Sequence, residues 1–135
     1  MQAVRAVQTS PSAVVLLKHL DRSQLSALAY ARAVSNDVSA VHVDTGRLET
    51  LRIRERWRRG DDGIRLDVVA EGSPRERILA YLQRRAAARE PLVVIVPIVM
   101  PRVRWLYPLV NLDTLSLVRA ISRMGITVTT APYPL

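Results

Sequence analysis

The chain has no cysteine, no phenylalanine, only five glycines and a single lysine, Lys18. Without cysteine there are no disulfides and no thiolate metal ligands. The two histidines, His19 and His42, show no ligand-like spacing, so no metal site is expected. The few glycines form no Walker-type loop, no GxGxxG and no GxSxG elbow. His42 and Asp44 stand at alternate positions of one apolar segment, which does not make them a catalytic pair. The expectation is a protein that is not an enzyme and requires no cofactor. The opening "MQAVRAVQTSPS" lacks the apolar core of a signal peptide. The longest apolar run, residues 91–100, is interrupted by Pro97 and falls short of the ~20 residues that span a bilayer. A cytosolic protein is expected.

What the chain does have is apolar content and arginine. Apolar residues make up 49% of 135 residues, enough for one domain with a real core. Basic residues number 20 against 12 acidic, a net charge of +8, and all but Lys18 of the basic residues are arginine. Guanidinium binds phosphate as a planar fork, so an acidic or phosphorylated partner and a merely solvated basic surface are both open readings. The arginines are spread over all the helical segments and form no single run, so nucleic acid is not an expected partner.

Along the chain, residues 1–12 have no period and read as a linker or frayed end; the domain is expected over 13–135. "SAVVLLKHL", 12–20, reads as a buried strand. "DRSQLSALAYARAVSN", 21–36, reads as a helix capped by Asp21 or Ser23, with Leu25, Leu28, Ala29 and Ala33 on its apolar face. Strand two is 37–45, followed by a highly charged surface helix over 46–63 with Leu48, Leu51, Ile53 and Trp57 as its thin apolar content. Strand three is 64–72. "SPRE" then supplies a capping box, with Ser73 as N-cap, Pro74 in the first turn and Glu76 three residues on. That helix runs to about residue 90 and is expected to bury Ile78, Leu82 and Ala86. Strand four is 91–100, the last helix is 112–125, stopped by Gly125, and strand five is 126–135.

Alternating strands and helices predict an α/β fold: a five-stranded parallel sheet, doubly wound as a three-layer α/β/α sandwich. Ligands of such sheets bind beyond the carboxyl ends of the strands, where the strand order reverses. Here that point falls between strands one and four. The tips there are "KHLDRS" and "PIVMPRVRWLYPLVNLDT", the latter over residues 97–114. The second tip holds Pro97, Pro101, Pro108, Arg102, Arg104, Trp105 and Tyr107, a stiff, basic and aromatic loop where the architecture puts a ligand.

"AYARAVSNDVSAVHVD", 29–44, resembles the first helix and second strand of the universal stress protein family. "VVIVPIVMPRVRWLYPLVNLDT", 93–114, and "TVTTAPYPL", 127–135, resemble a subgroup: the cytosolic C-terminal domain of amino acid–polyamine–cation superfamily permeases. The resemblance covers about residues 13–135. It implies a regulatory domain of an amino acid or cation permease, at the cytosolic face of the plasma membrane, with the transmembrane portion as partner and a homodimer as assembly. It also implies an adenine nucleotide ligand, with cyclic di-AMP first and AMP or ATP second. ATP-binding universal stress proteins use a glycine loop after strand four; here prolines, which have no N–H to donate, replace it. Phosphate recognition would fall to side chains such as Arg102 and Arg104, and to the start of the last helix near Asn111 and Thr114. Trp105 and Tyr107 would stack on adenine. His19, Asp21, Arg22, His42 and Asp44 lie on the family's ligand face.

Each residue also has a plainer reading. Asp21 suits a helix cap, His42 a half-buried strand position, and Trp105 and Tyr107 a lid or a dimer contact. The alternative function is therefore a ligand-free dimerisation module, with "TVTTAPY" as an edge strand. Met1 and the "TSPS" linker suit a piece of a longer chain.

Overall fold

A computed structural model describes residues 11–18, 21–46, 48–60, 63–88, 91–100 and 112–134, with the side chains of 99, 100, 112 and 113 excepted. Its elements alternate: β1 (Ser12–Leu16), α1 (Arg22–Val34), β2 (Val38–Val43), α2 (Leu48–Arg59), β3 (Arg65–Val69), α3 (Pro74–Ala87), β4 (Leu92–Met100), α4 (Leu112–Arg123) and β5 (Thr127–Pro134). The strands form one all-parallel sheet in the order β3-β2-β1-β4-β5, the doubly wound arrangement the alternation predicts.

The period of two along β1 separates the core into two layers. Val14 and Leu16 join Val41, Val43, Val94 and Val96 under α3 and α4, against Tyr81, Leu82, Leu117 and Ile121. Ala13, Val15 and Leu17 face the opposite way and meet Ala27, Leu28 and Ala31 of α1 and Ile53 of α2. A strand covered on both faces needs a continuous apolar run, which is why "AVVLL" does not alternate. Burying each such side chain is worth roughly 1.5–3 kcal/mol relative to leaving it in water.

Three details differ from the sequence reading. α1 buries Ser23, Gln24, Ala27, Leu28 and Ala31. Leu25, Ala29 and Ala33 lie on its exposed side. Small residues let the helix sit close to the sheet, and Gln24 is drawn inward because its Oε1 accepts the Lys18 N–H at 2.6 Å. In α3 the third buried residue is Tyr81, while Ala86 is exposed. Ser73 precedes α3 in an extended conformation but makes no side-chain cap, so that helix start rests on Pro74 and on the Arg77 N–H donating to the Ser73 carbonyl.

Pro97 lies inside β4, where a proline would normally break the ladder. β1 pairs with β4 only from Leu92 to Ile95. From Val96 to Met100, β4 pairs, among the described residues, with β5 alone. The missing N–H therefore removes no rung to β1. The β4–β5 ribbon runs past the end of β1 and forms a wall beside the switch point.

Candidate functional site

In a parallel sheet every strand ends at the same edge, so the segments after β1, β2 and β4 share one rim. β1 and β4 are direct neighbours, with Val15 opposite Ile95. The helices that follow them, α1 and α4, lie on opposite faces of the sheet. That is the geometry of the switch-point crevice.

On the β1 side, Asp21 is the N-cap of α1. Its Oδ1 accepts the Gln24 N–H at 3.0 Å and the Ser23 hydroxyl. Its neighbour Arg22 is exposed on the first turn. Gln24 closes the turn from inside through Lys18, so Asp21, Ser23 and Gln24 fix how the chain leaves β1.

On the β2 side, Asp44 accepts the Gly46 N–H on Oδ1 at 2.8 Å, a turn in which Gly46 takes φ of 66°. His42 is only 2% exposed. Its Nδ1 lies 2.8 Å from the Leu17 carbonyl and its Nε2 lies 2.9 Å from Thr50 Oγ1. A carbonyl can only accept, so Nδ1 donates to Leu17, and Nε2 pairs with the Thr50 hydroxyl. Thr50 Oγ1 in turn accepts the Thr45 N–H at 3.0 Å, with the Thr45 hydroxyl also 3.0 Å away. This chain of bonds ties the end of β1, the end of β2 and the first turn of α2 together. Both ring nitrogens are engaged within it, so His42 shapes the rim from below.

Thr114 is half-buried in the first turn of α4. His19, Arg102, Arg104, Trp105, Tyr107 and Asn111 lie outside the described residues. Of the candidate positions, the structure thus brings Asp21, Arg22, Asp44 and Thr114 to the same edge of the sheet and sets His42 beneath it. Gln24 and Thr50 are the positions that residue types alone did not single out. Their signal was present in part: a polar side chain one helical turn from a cap, on a face otherwise made of Ala and Leu, needs a buried partner.

A second polar cluster sits away from this rim. The Tyr81 hydroxyl donates to Asp67 Oδ2 on β3. Arg85 donates to the Tyr81 oxygen at 2.8 Å and to Ser39 Oγ at 3.0 Å. Its guanidinium also lies 5.8 Å from the Tyr81 ring centre. Burial, and secondarily the bond to Asp67, push the Tyr81 hydroxyl above its ordinary pKa. No buried side-chain polar atom among the described residues is left unpartnered.

Among the described residues there is no group of three acidic or histidine side chains that would hold a metal ion, and no helix long and apolar enough to cross a membrane. No curated protein matches the chain. Residues 8–133 match the family model described as the KimA potassium transporter C-terminal domain. That span takes in every strand and helix of the described residues but for the last residue of β5. The chain therefore belongs to the family of KimA potassium transporter C-terminal domains.

Proposed function

We propose that this domain is the non-catalytic regulatory part of a potassium transporter, placed in the cytosol, and that it senses an adenine nucleotide at the rim between β1 and β4. Cyclic di-AMP is the first ligand choice and AMP or ATP the second. The reading rests on one observation: in a transporter's C-terminal domain, β1 and β4 are neighbours at the switch point, β1 leads into a capped, polar turn, and the sequence that follows β4 is rich in proline and carries Arg102, Arg104 and Trp105. The universal stress protein resemblance supports the same site. Asp21, Asp44 and Thr114 would meet ribose or base edges. Arg22, Arg102 and Arg104 would take phosphate, and Trp105 and Tyr107 would stack on adenine, each stack worth ~1–3 kcal/mol. His19 and Asn111 complete the tips, and His42 holds the rim's shape.

Calorimetric titration with cyclic di-AMP, AMP and ATP tests this. Saturable heat is expected for at least one of them, and it should be lost on Arg102→Ala with Arg104→Ala. A ligand at a hundred times its Kd should stabilise the fold by about 2.7 kcal/mol. No heat at millimolar ligand would overturn the nucleotide reading.

A second reading is a ligand-free module that dimerises the transporter, with the outward side chains of the edge strand β5, and not its proline-bearing backbone, meeting the other copy. Light scattering decides it. A homodimer is expected, weakened by Trp105→Ala with Tyr107→Ala, and a monomer in both cases rejects it.

A further inference from the structure

The two edges of the sheet differ chemically. β5 carries Pro132 and Pro134, which withdraw backbone donors and blunt that edge against strand addition. β3 carries neither proline nor lysine and, among the described residues, pairs only with β2. Beside β3 runs a groove of about 450 Å³. All of residues 66–70 line it, although alternate residues of a strand face opposite sides of the sheet. A groove touched by both parities follows the strand's edge, where the backbone groups are, and does not lie over one face.

The other wall is α3. Arg77, Ala80 and Arg84 occupy one stripe of that helix at i, i+3 and i+7. The opposite flank is engaged elsewhere, since Arg75 donates to Ser116 of α4 at 2.8 Å. Arg77 and Arg84 are exposed and form no ion pair among the described residues. Ala80, between them, keeps the trough open. Arg77 is seated at the strand's far end, where Gly72 makes room for it: a Cβ there would fall 2.6 Å from Arg77 Nε. The one carboxylate in the groove, Asp67, is occupied by the Tyr81 hydroxyl and lies 3.5 Å from Arg65 Nε. Two arginines against one acid leave the groove cationic.

We infer that the β3–α3 groove is a docking site for an extended acidic peptide segment, which adds as a strand to β3 and sets carboxylates against Arg77 and Arg84. The recognition divides into two parts. The free edge supplies backbone pairing without sequence preference, and the arginines select charge. Seven helical residues span about 10.5 Å. At about 3.3 Å per strand residue, acidic residues two or four apart on one face of the guest would reach both guanidinium groups. The site is on the β3 edge, two strands away from β1 in the sheet, and stands whether or not a nucleotide binds at the β1–β4 crevice.

The test uses the 135-residue chain and a fluorescein-labelled peptide of four alternating Glu-Val pairs, read by anisotropy. Saturable binding is expected. It should weaken at least tenfold with Arg77→Glu and Arg84→Glu together, and at least fivefold with Ala80→Leu, which keeps both charges and suits an exposed helix position. A peptide N-methylated at every residue should also bind at least tenfold more weakly, because neither of its edges keeps an N–H to donate to β3. Should the charge-reversed variant fail to fold, Ala80→Leu and the N-methylated peptide still decide. Equal binding of the Lys-Val peptide, indifference to N-methylation, or no saturation at 1 mM on the order of ordinary weak peptide affinities would each overturn the inference. So would sedimentation with phosphatidylglycerol vesicles that the same variants abolish, in the absence of any peptide binding.

Discussion

Thr50 carries more of the rim than any charged residue near it. Its one oxygen serves His42, the Thr45 N–H and the Thr45 hydroxyl. Thr50→Val keeps the shape and removes that oxygen, so His42 Nε2 and the Thr45 N–H both lose the bond it gives them. A loss of about 1–3 kcal/mol is expected in urea unfolding. Thr45→Val, at an exposed position, should lose less than about 1 kcal/mol. Similar losses for the two would show that the network is not centred on Thr50. Tyr81 makes a pH prediction. Its folded pKa is raised above the ordinary value near 10.0, first by burial and then by Asp67. The folded state thus holds this proton more tightly than the unfolded chain does. The contribution is complete below pH ~10 and disappears as pH rises through the folded value. Wild type should lose stability above pH ~10 more steeply than Tyr81→Phe; parallel curves would reject the assignment.

At the level of elements, caps and registers decide where each helix begins. Asp21 caps α1 through Gln24. Asp21→Ala should lower stability by about 0.5–2 kcal/mol, while Asp21→Asn, which keeps the acceptor, should restore most of it. If Asn also lowers nucleotide binding, cap and ligand roles separate in one pair of variants. α2 follows a different rule. Its carboxylate Glu55 bonds both Arg58 and Arg59, which holds its pKa below the usual range and raises that of Arg58. These groups are exposed and the pairs add little to stability. The helix is held by Ile53 and by Trp57, whose Nε1 donates to the Ile64 carbonyl at 3.0 Å. Of the four apolar residues legible there, Leu48 and Leu51 remain 58% and 64% exposed, because a thin stripe touches the sheet with only one edge.

For the molecule as a whole, a net charge of +8 on 135 residues opposes compaction by self-repulsion. Raising NaCl from about 50 to 300 mM shortens the Debye length well below the size of the domain. The melting temperature should therefore rise. A fall would mean that attractive pairs such as Arg65–Asp67 outweigh repulsion. The same charge excess is what the β3–α3 groove concentrates between Arg77 and Arg84.

The order and type of the elements among the described residues are properties of the sequence alone, because periods of 2 and 3.6 and punctuating prolines and glycines are local signals. So is the position of the switch point, since alternating strands and helices leave few topologies. The tertiary structure decided the rest. Which stripe α1 buries depended on Lys18 recruiting Gln24 across a turn. Whether His42 faces a ligand or the core depended on Leu17, 25 residues earlier. The groove depended on Arg85 reaching Ser39, 46 residues away, and on Tyr81 reaching Asp67, contacts that join α3 to the sheet beside an edge unpaired among the described residues. Such contacts join residues that no local pattern relates, and only the folded chain brings them within a hydrogen bond's length.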